Sequence, residues 1–231
     1  MEQQQPAFEW PPLEGNPEVF TDYMHSIGLP DTWVINECFG LDADCLSFVP
    51  KPTLAVIAVF ESLIKDGSHR DLGDPAYPID FYMKQTDKLD YACGVIALLH
   101  SILNNRKLVH VVEDSILDTF FKSCTALNPE ERAKALETNE AFRAQHLKYA
   151  AQGQSHQAES GEQVQHHFIA FVRTEDGKLV ELDGMKRGPV VVQEVCEDLL
   201  GDAAKVLLKR VEDGLISESI AVQVLCKQPD E

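Results

Sequence analysis

Between Ala92 and Asn105 the chain reads ACGVIALLHSILNN, which is apolar on nearly every side when wound at helical pitch. A helix of that kind cannot rest on a surface; it belongs at the centre of a core. TLAVIAVF (Thr53 to Phe60) imposes a matching demand on a strand. It is a continuous apolar run rich in β-branched residues and bounded by Pro52, so it predicts a strand covered on both faces. A length of 231 residues suffices to bury such a core in one domain, residues 1–231.

Local signals place the other elements around these two. In NPEVFTDYMHSIGL, Asn16 is a cap, Pro17 opens the first turn, and Val19, Phe20, Tyr23 and Ile27 form an apolar face. A short helix is predicted from Leu41 to Phe48, after Asp42. Glu61 to Ile79 is a polar loop with Gly67, Gly73, Pro75 and Pro78, ending at a short extended FYMKQ. Helices follow at Ser115 to Cys124 and, as one long element, after Asn128, Pro129 and Glu131, a near capping box. Ala150 to Gln163 contains no large apolar residue and reads as a mobile loop. Beyond it come the strands VQHHFIAFVR, KLVELDG and PVVVQ, a helix from Glu194 to Val211, and a last strand, SIAVQVLC. The fold class is α/β in the α+β sense: a mixed or antiparallel central sheet flanked by helices.

No stretch approaches the roughly 20 apolar residues that cross a bilayer, and MEQQQPAFEW lacks the basic and apolar regions of a signal peptide. The expectation is a soluble, cytoplasmic monomer, with nuclear presence compatible. Six cysteines without a CxxC pair read as reduced thiols. A net charge of −18 disfavours nucleic acid and anionic membranes and suits a basic protein partner, though solubility alone accounts for it equally well.

A thiol attacks as thiolate, and a helix N-terminus favours that anion. Cys93 is the cysteine so placed, at the start of the central helix, with Gly94 beside it to admit a substrate backbone. The plainer reading is a buried cysteine next to a packing glycine. A base has to come from elsewhere in the chain. His100 lies two turns along the same helix, and His25, His69 and His110 sit in poor contexts; His166 and His167, in an apolar strand, are better placed. They point to opposite faces: His167 with Ile169 and Phe171, His166 with Phe168, Ala170 and Val172. Asp183 ends the following strand in an apolar setting where an unpaired carboxylate is costly. A two-residue turn at Asp176-Gly177 would set it opposite Ala170, on the His166 side. A three-residue Glu175-Asp176-Gly177 loop with Gly177 left-handed sets it opposite Ile169, diagonal to His167, and is the predicted geometry. Without catalysis, His167 and Asp183 would still make sense as a buried polar pair tying two strands. The histidines lack the spacing of a metal site and the cysteines supply no second half of one, so neither metal nor cofactor is expected.

The segments carrying Cys93, His167 and Asp183 resemble the ubiquitin C-terminal hydrolases, papain-like thiol proteases of the peptidase C12 type. The resemblance also takes in WPPLEGNPEVF, LSFVPKPTLAVIAVFE, FYMKQT, NPEERAKALE, HFIAFV and LVELDGMKRGP, nearly the whole chain, and is closest to the short single-domain members. It implies a papain-like architecture and a deubiquitinating activity that removes small adducts or short peptide extensions from the carboxyl-terminal glycine of ubiquitin. Cys93 would be nucleophile, His167 base and Asp183 its orienting partner; the Cys93 N–H and the Gln85 side chain would hold the oxyanion. The basic tail of ubiquitin suits the acidic chain. A loop at about 150–163 would cross the active site and limit leaving-group size, while Pro12–Leu13 and Met185–Arg187 would line the ubiquitin groove. This chain departs from the family pattern in QTDKLDYAC, which has two extra residues before the cysteine and Tyr91 where an asparagine is usual. The departure leaves open a ubiquitin-binding protein with a defective site; a hydrolase of a ubiquitin-like modifier also stays open, because the groove chemistry would be nearly the same.

Overall fold

The computed structural model describes Phe8, residues 10–152 and residues 166–228. Six strands, β1 (Trp33–Cys38), β2 (Thr53–Ser62), β3 (His166–Arg173), β4 (Leu179–Leu182), β5 (Val190–Gln193) and β6 (Ile216–Lys227), form one sheet in the order β1-β6-β2-β3-β4-β5. Every neighbouring pair is antiparallel.

The apolar run in β2 follows from its central position, because both faces of the strand are covered. Leu54, Ala55 and Ile57 join one layer of core, and Val56, Ala58 and Phe60 the other. The first layer is built on α1 (Pro17–Ile27) and α3 (Cys93–Leu103), every residue of which is buried. Leu98, Leu99 and Leu103 are wholly excluded from solvent, and burying each leucine contributes about 1.5–3 kcal/mol. The second layer is closed by α8 (Leu199–Glu212) and the short α2 (Ala43–Ser47). Short α4 (Arg106–Val109), α5 (Ile116–Cys124), α6 (Pro129–Glu137) and α7 (Glu140–Ala150) complete the helices. The caps fall where the sequence predicts them: Asn16 accepts from Glu18 N–H, Asp42 from Cys45, and Asn128 and Glu131 form a complete capping box.

Some elements differ from the sequence reading. The long helix after Asn128 is two, α6 and α7, because the Asn139 side chain takes the Phe142 N–H at 3.0 Å, which a continuous helix would give to the Thr138 carbonyl. β1, which the sequence reading passes over, is an edge strand with polar Asn36 and Glu37 interrupting its pattern. α8 starts at Leu199 rather than Glu194, since Gly177 O accepts the Cys196 N–H at 2.7 Å and Cys196 O accepts from Arg173 Nε at 2.7 Å. FYMKQ joins no strand. Its first residues are held from α3 and its C-cap: Asn104 bonds both Phe81 N and Phe81 O, and His100 Nε2 accepts from Met83 N–H at 3.1 Å.

The polar loop after β2 lies against the chain just past β4. Arg187 N–H is shared by the carbonyls of Arg70 and Leu72 at 2.9 and 3.0 Å, and Asp74 N–H reaches Pro189 O at 3.0 Å. At Gly73, with φ +96°, a Cβ would fall 2.0 Å from the Gly188 carbonyl oxygen. Gly73→Ala is expected to push these segments apart and to lower stability by more than about 1 kcal/mol in urea unfolding; an unchanged midpoint would contradict this docking.

Candidate active site

Cys93 is the first residue of α3, and no side chain caps that terminus. A short 3-10 turn, Asp87–Ala92, leads directly into it. Cys93 is buried, 7% exposed, and lies close enough to the His167 ring to act on its charge. Gly94 does not serve as the sequence suggests: a Cβ there would meet Phe20 at 3.2 Å and Phe168 at 3.7 Å, so the glycine admits packed rings rather than a substrate.

The β3–β4 hairpin closes on the three-residue loop, with Thr174 N–H on Lys178 O at 3.0 Å and Gly177 at φ +82°. Its register sets Ala170 opposite Leu182, which continued by one residue brings Asp183 beside Ile169. His167 Nε2 thereby lies 2.7 Å from Asp183 Oδ1. With Nε2 donating to the carboxylate, Nδ1 is the ring nitrogen left for the thiol. His166 is exposed on the other side.

Burial alone would discharge the His167 ring. The Asp183 charge and hydrogen bond, with the Cys93 contact, outweigh it and push the ring up to about 10. Burial likewise opposes charge on Asp183, yet His167, the nearby Lys186 and the Met185 N–H hold its carboxyl well below the usual carboxylate range. The pair is therefore charged at neutral pH.

Several residues that fix Asp183 carry no local signal in the sequence. Tyr82 Oη lies 2.7 Å from the carbonyls of both Asp183 and Lys186 and directs its one proton between them, across more than a hundred residues of chain. Lys186 turns inward to the buried carboxylate of Glu181, which also takes Arg210. His69, dismissed on its loop context, lies close enough to Asp183, Lys186 and His167 to feel their charges, and burial pushes its ring down.

Gln85 reaches the same place from the segment before the 3-10 turn. Its N–H bonds Gly184 O at 2.9 Å, one residue past Asp183, and its Nε2 donates to Asp90 O at 2.9 Å. The 3-10 turn between Gln85 and Cys93 leaves Asp87 and Asp90 exposed to solvent.

Residues 10–212 match the family model described as ubiquitin carboxyl-terminal hydrolase, family 1. The chain belongs to that family. Among its relatives, a ubiquitin carboxyl-terminal hydrolase of Drosophila melanogaster is 39% identical over 85% of this chain and 88% of the relative. Isozyme L1 of Rattus norvegicus is 34% identical over 94% and 97%. The fold matches the Trichinella spiralis UCH37 catalytic domain bound to ubiquitin vinyl methyl ester, with a TM-score of 0.76, 22% identity, and 96% and 97% of the two chains covered. The protein is accordingly a cysteine-type ubiquitin C-terminal hydrolase with deubiquitinating activity.

Other histidines of this hydrolase have structural employment. His100 is fully buried and stacked on Tyr82 at 5.2 Å, and burial pushes it down to about 4. His146 bonds Pro11 O at 2.6 Å and packs on Trp10, tying the N-terminal segment to α7. Of the residues expected to line the ubiquitin groove, Pro12 and Arg187 are exposed, whereas Leu13 is in the core and Lys186 is buried on Glu181. The crossover loop expected at 150–163 lies outside the described residues from 153 onward; Ala150 ends α7.

Proposed function

We propose that this hydrolase acts on ubiquitin itself, cutting small adducts or short peptide extensions from its carboxyl-terminal glycine, with Cys93, His167, Asp183 and Gln85 as the working residues. Support comes chiefly from one observation: His167, close enough to Cys93 to interact with it, is bound through Nε2 to Asp183 at 2.7 Å. The Trichinella relative was captured with a ubiquitin electrophile, in keeping with ubiquitin as the partner.

Cys93 attacks the glycine carbonyl as thiolate, its proton resting on His167. The Gln85 amide and the Cys93 N–H receive the oxyanion. As the tetrahedral species collapses, His167 gives its proton to the departing amine and an acyl-enzyme remains. A water then attacks the thioester, His167 accepts its proton, and ubiquitin leaves with a free carboxylate. Asp183 keeps the ring oriented and its positive charge favourable throughout.

The bond from Gln85 to Asp90 and the two extra residues favour a second reading, a ubiquitin binder without turnover. Hydrolysis of a fluorogenic ubiquitin carboxyl-terminal amide separates the two. Wild type is expected to turn over, and Gln85→Ala to lose about 100-fold in kcat with little change in KM. Binding without turnover by the wild type would establish the second reading. A parallel assay with the amide of a ubiquitin-like modifier tests the choice of partner.

A further inference from the structure

We infer that Glu137, at the end of α6, is a positioning residue for the oxyanion donor, acting through the 3-10 turn that orients the Gln85 amide; this rests on the role given to Gln85 above. The orientation of that amide is not selected from its own oxygen side. Gln85 Oε1 is buried and has no hydrogen-bond donor among the described residues. The Asp90 carbonyl makes the selection, because exchanging nitrogen and oxygen would set two oxygens 2.9 Å apart. The aim of the amide therefore depends on where the 3-10 turn puts Asp90.

That turn is poorly anchored by its own structure. Leu89, at φ −108° and ψ 19°, departs from helical geometry, and Asp87, Lys88 and Asp90 are exposed. The buried Leu89 side chain and the Leu89 N–H on Thr86 O hold its middle. Its entrance is held by Glu137. One carboxylate oxygen accepts from Thr86 Oγ1 at 2.5 Å and the other lies 3.7 Å from Lys88 Nζ, so a single side chain holds the first and third residues after Gln85. Glu137 is 90% shielded while Lys88 is largely exposed. The charge-assisted Thr86 bond is thus the stronger of the two contacts. Pro129 O, at the other end of α6, also accepts the Lys84 N–H at 3.1 Å, so one helix brackets Gln85 from both sides.

The test is a double-variant cycle on the fluorogenic ubiquitin amide. Glu137→Ala is expected to lower kcat roughly 10- to 100-fold with KM unchanged, as a small misplacement of a catalytic group does. Glu137→Gln keeps an acceptor for Thr86 and is expected to restore most of the rate. In the Gln85→Ala background, Glu137→Ala should cost nothing more. If Glu137→Ala does not fold, Thr86→Val removes the same bond while leaving the carboxylate, and the same non-additivity is expected. Losses that multiply, or a Glu137→Ala enzyme with wild-type kcat, would overturn the inference alone. A Gln85→Ala enzyme at full rate would instead overturn the role of Gln85 on which it rests.

Discussion

Cys93→Ala is expected to abolish hydrolysis of the ubiquitin amide, with a loss of at least about 10⁵-fold in kcat, while ubiquitin still binds. The size of the effect follows from the lack of a substitute. Burial pushes Cys196 and Cys226 up to about 11, and raises Cys38 and Cys124 as well. Cys45 is raised by its contact with Asp42. These five are therefore protonated at neutral pH, and the Asp183-bound imidazole lies against Cys93. Stopped-assay kinetics with parallel calorimetry of ubiquitin binding would check both halves. Residual turnover within tenfold of wild type would move the nucleophile elsewhere.

Asp183→Asn is expected to cost on the order of 10³-fold in kcat, since a neutral amide neither fixes the tautomer nor stabilises the imidazolium. The ion pair has a sharper consequence. His167, pushed up to about 10 in the wild type, stays protonated from pH 5 to 8; in the variant its ring should titrate inside that interval, as followed by NMR of the imidazole. Stability carries the same signature. A histidine raised above its usual 6.5 stabilises the fold fully below that pH and loses the contribution as pH rises through about 10. An aspartate lowered from 3.8 contributes fully above that value and loses it in stronger acid. The stability gap between wild type and Asp183→Asn should therefore be widest from about pH 4 to 6.5 and narrow toward pH 10. A gap that widens with rising pH would contradict the pairing.

What could be read from the chain was whatever depends on neighbours along it. The caps at Asn16, Asp42 and Asn128 are local bonds, and the two-faced burial of β2 shows as an unbroken apolar run. Even the pairing of Asp183 with His167 follows from a turn three residues long, because Gly177 can take φ +82° and side chains alternate along a strand. Long-range partners leave no such mark. Tyr82 meets Asp183 from 101 residues away, Arg210 reaches Glu181 from 29, and Phe20 fills the space beside Gly94 from a different helix. The extra residues before Cys93 were visible as a count. The bond that holds Thr86, at the head of the 3-10 turn before Cys93, comes from Glu137, 51 residues on.

The most direct test of the account is reaction of the wild-type protein with ubiquitin bearing a carboxyl-terminal vinyl methyl ester, followed by intact-mass and peptide mapping. A single stoichiometric adduct on Cys93, absent in Cys93→Ala, is the expected result. No adduct on a folded, ubiquitin-binding protein, or an adduct on another cysteine, would contradict it.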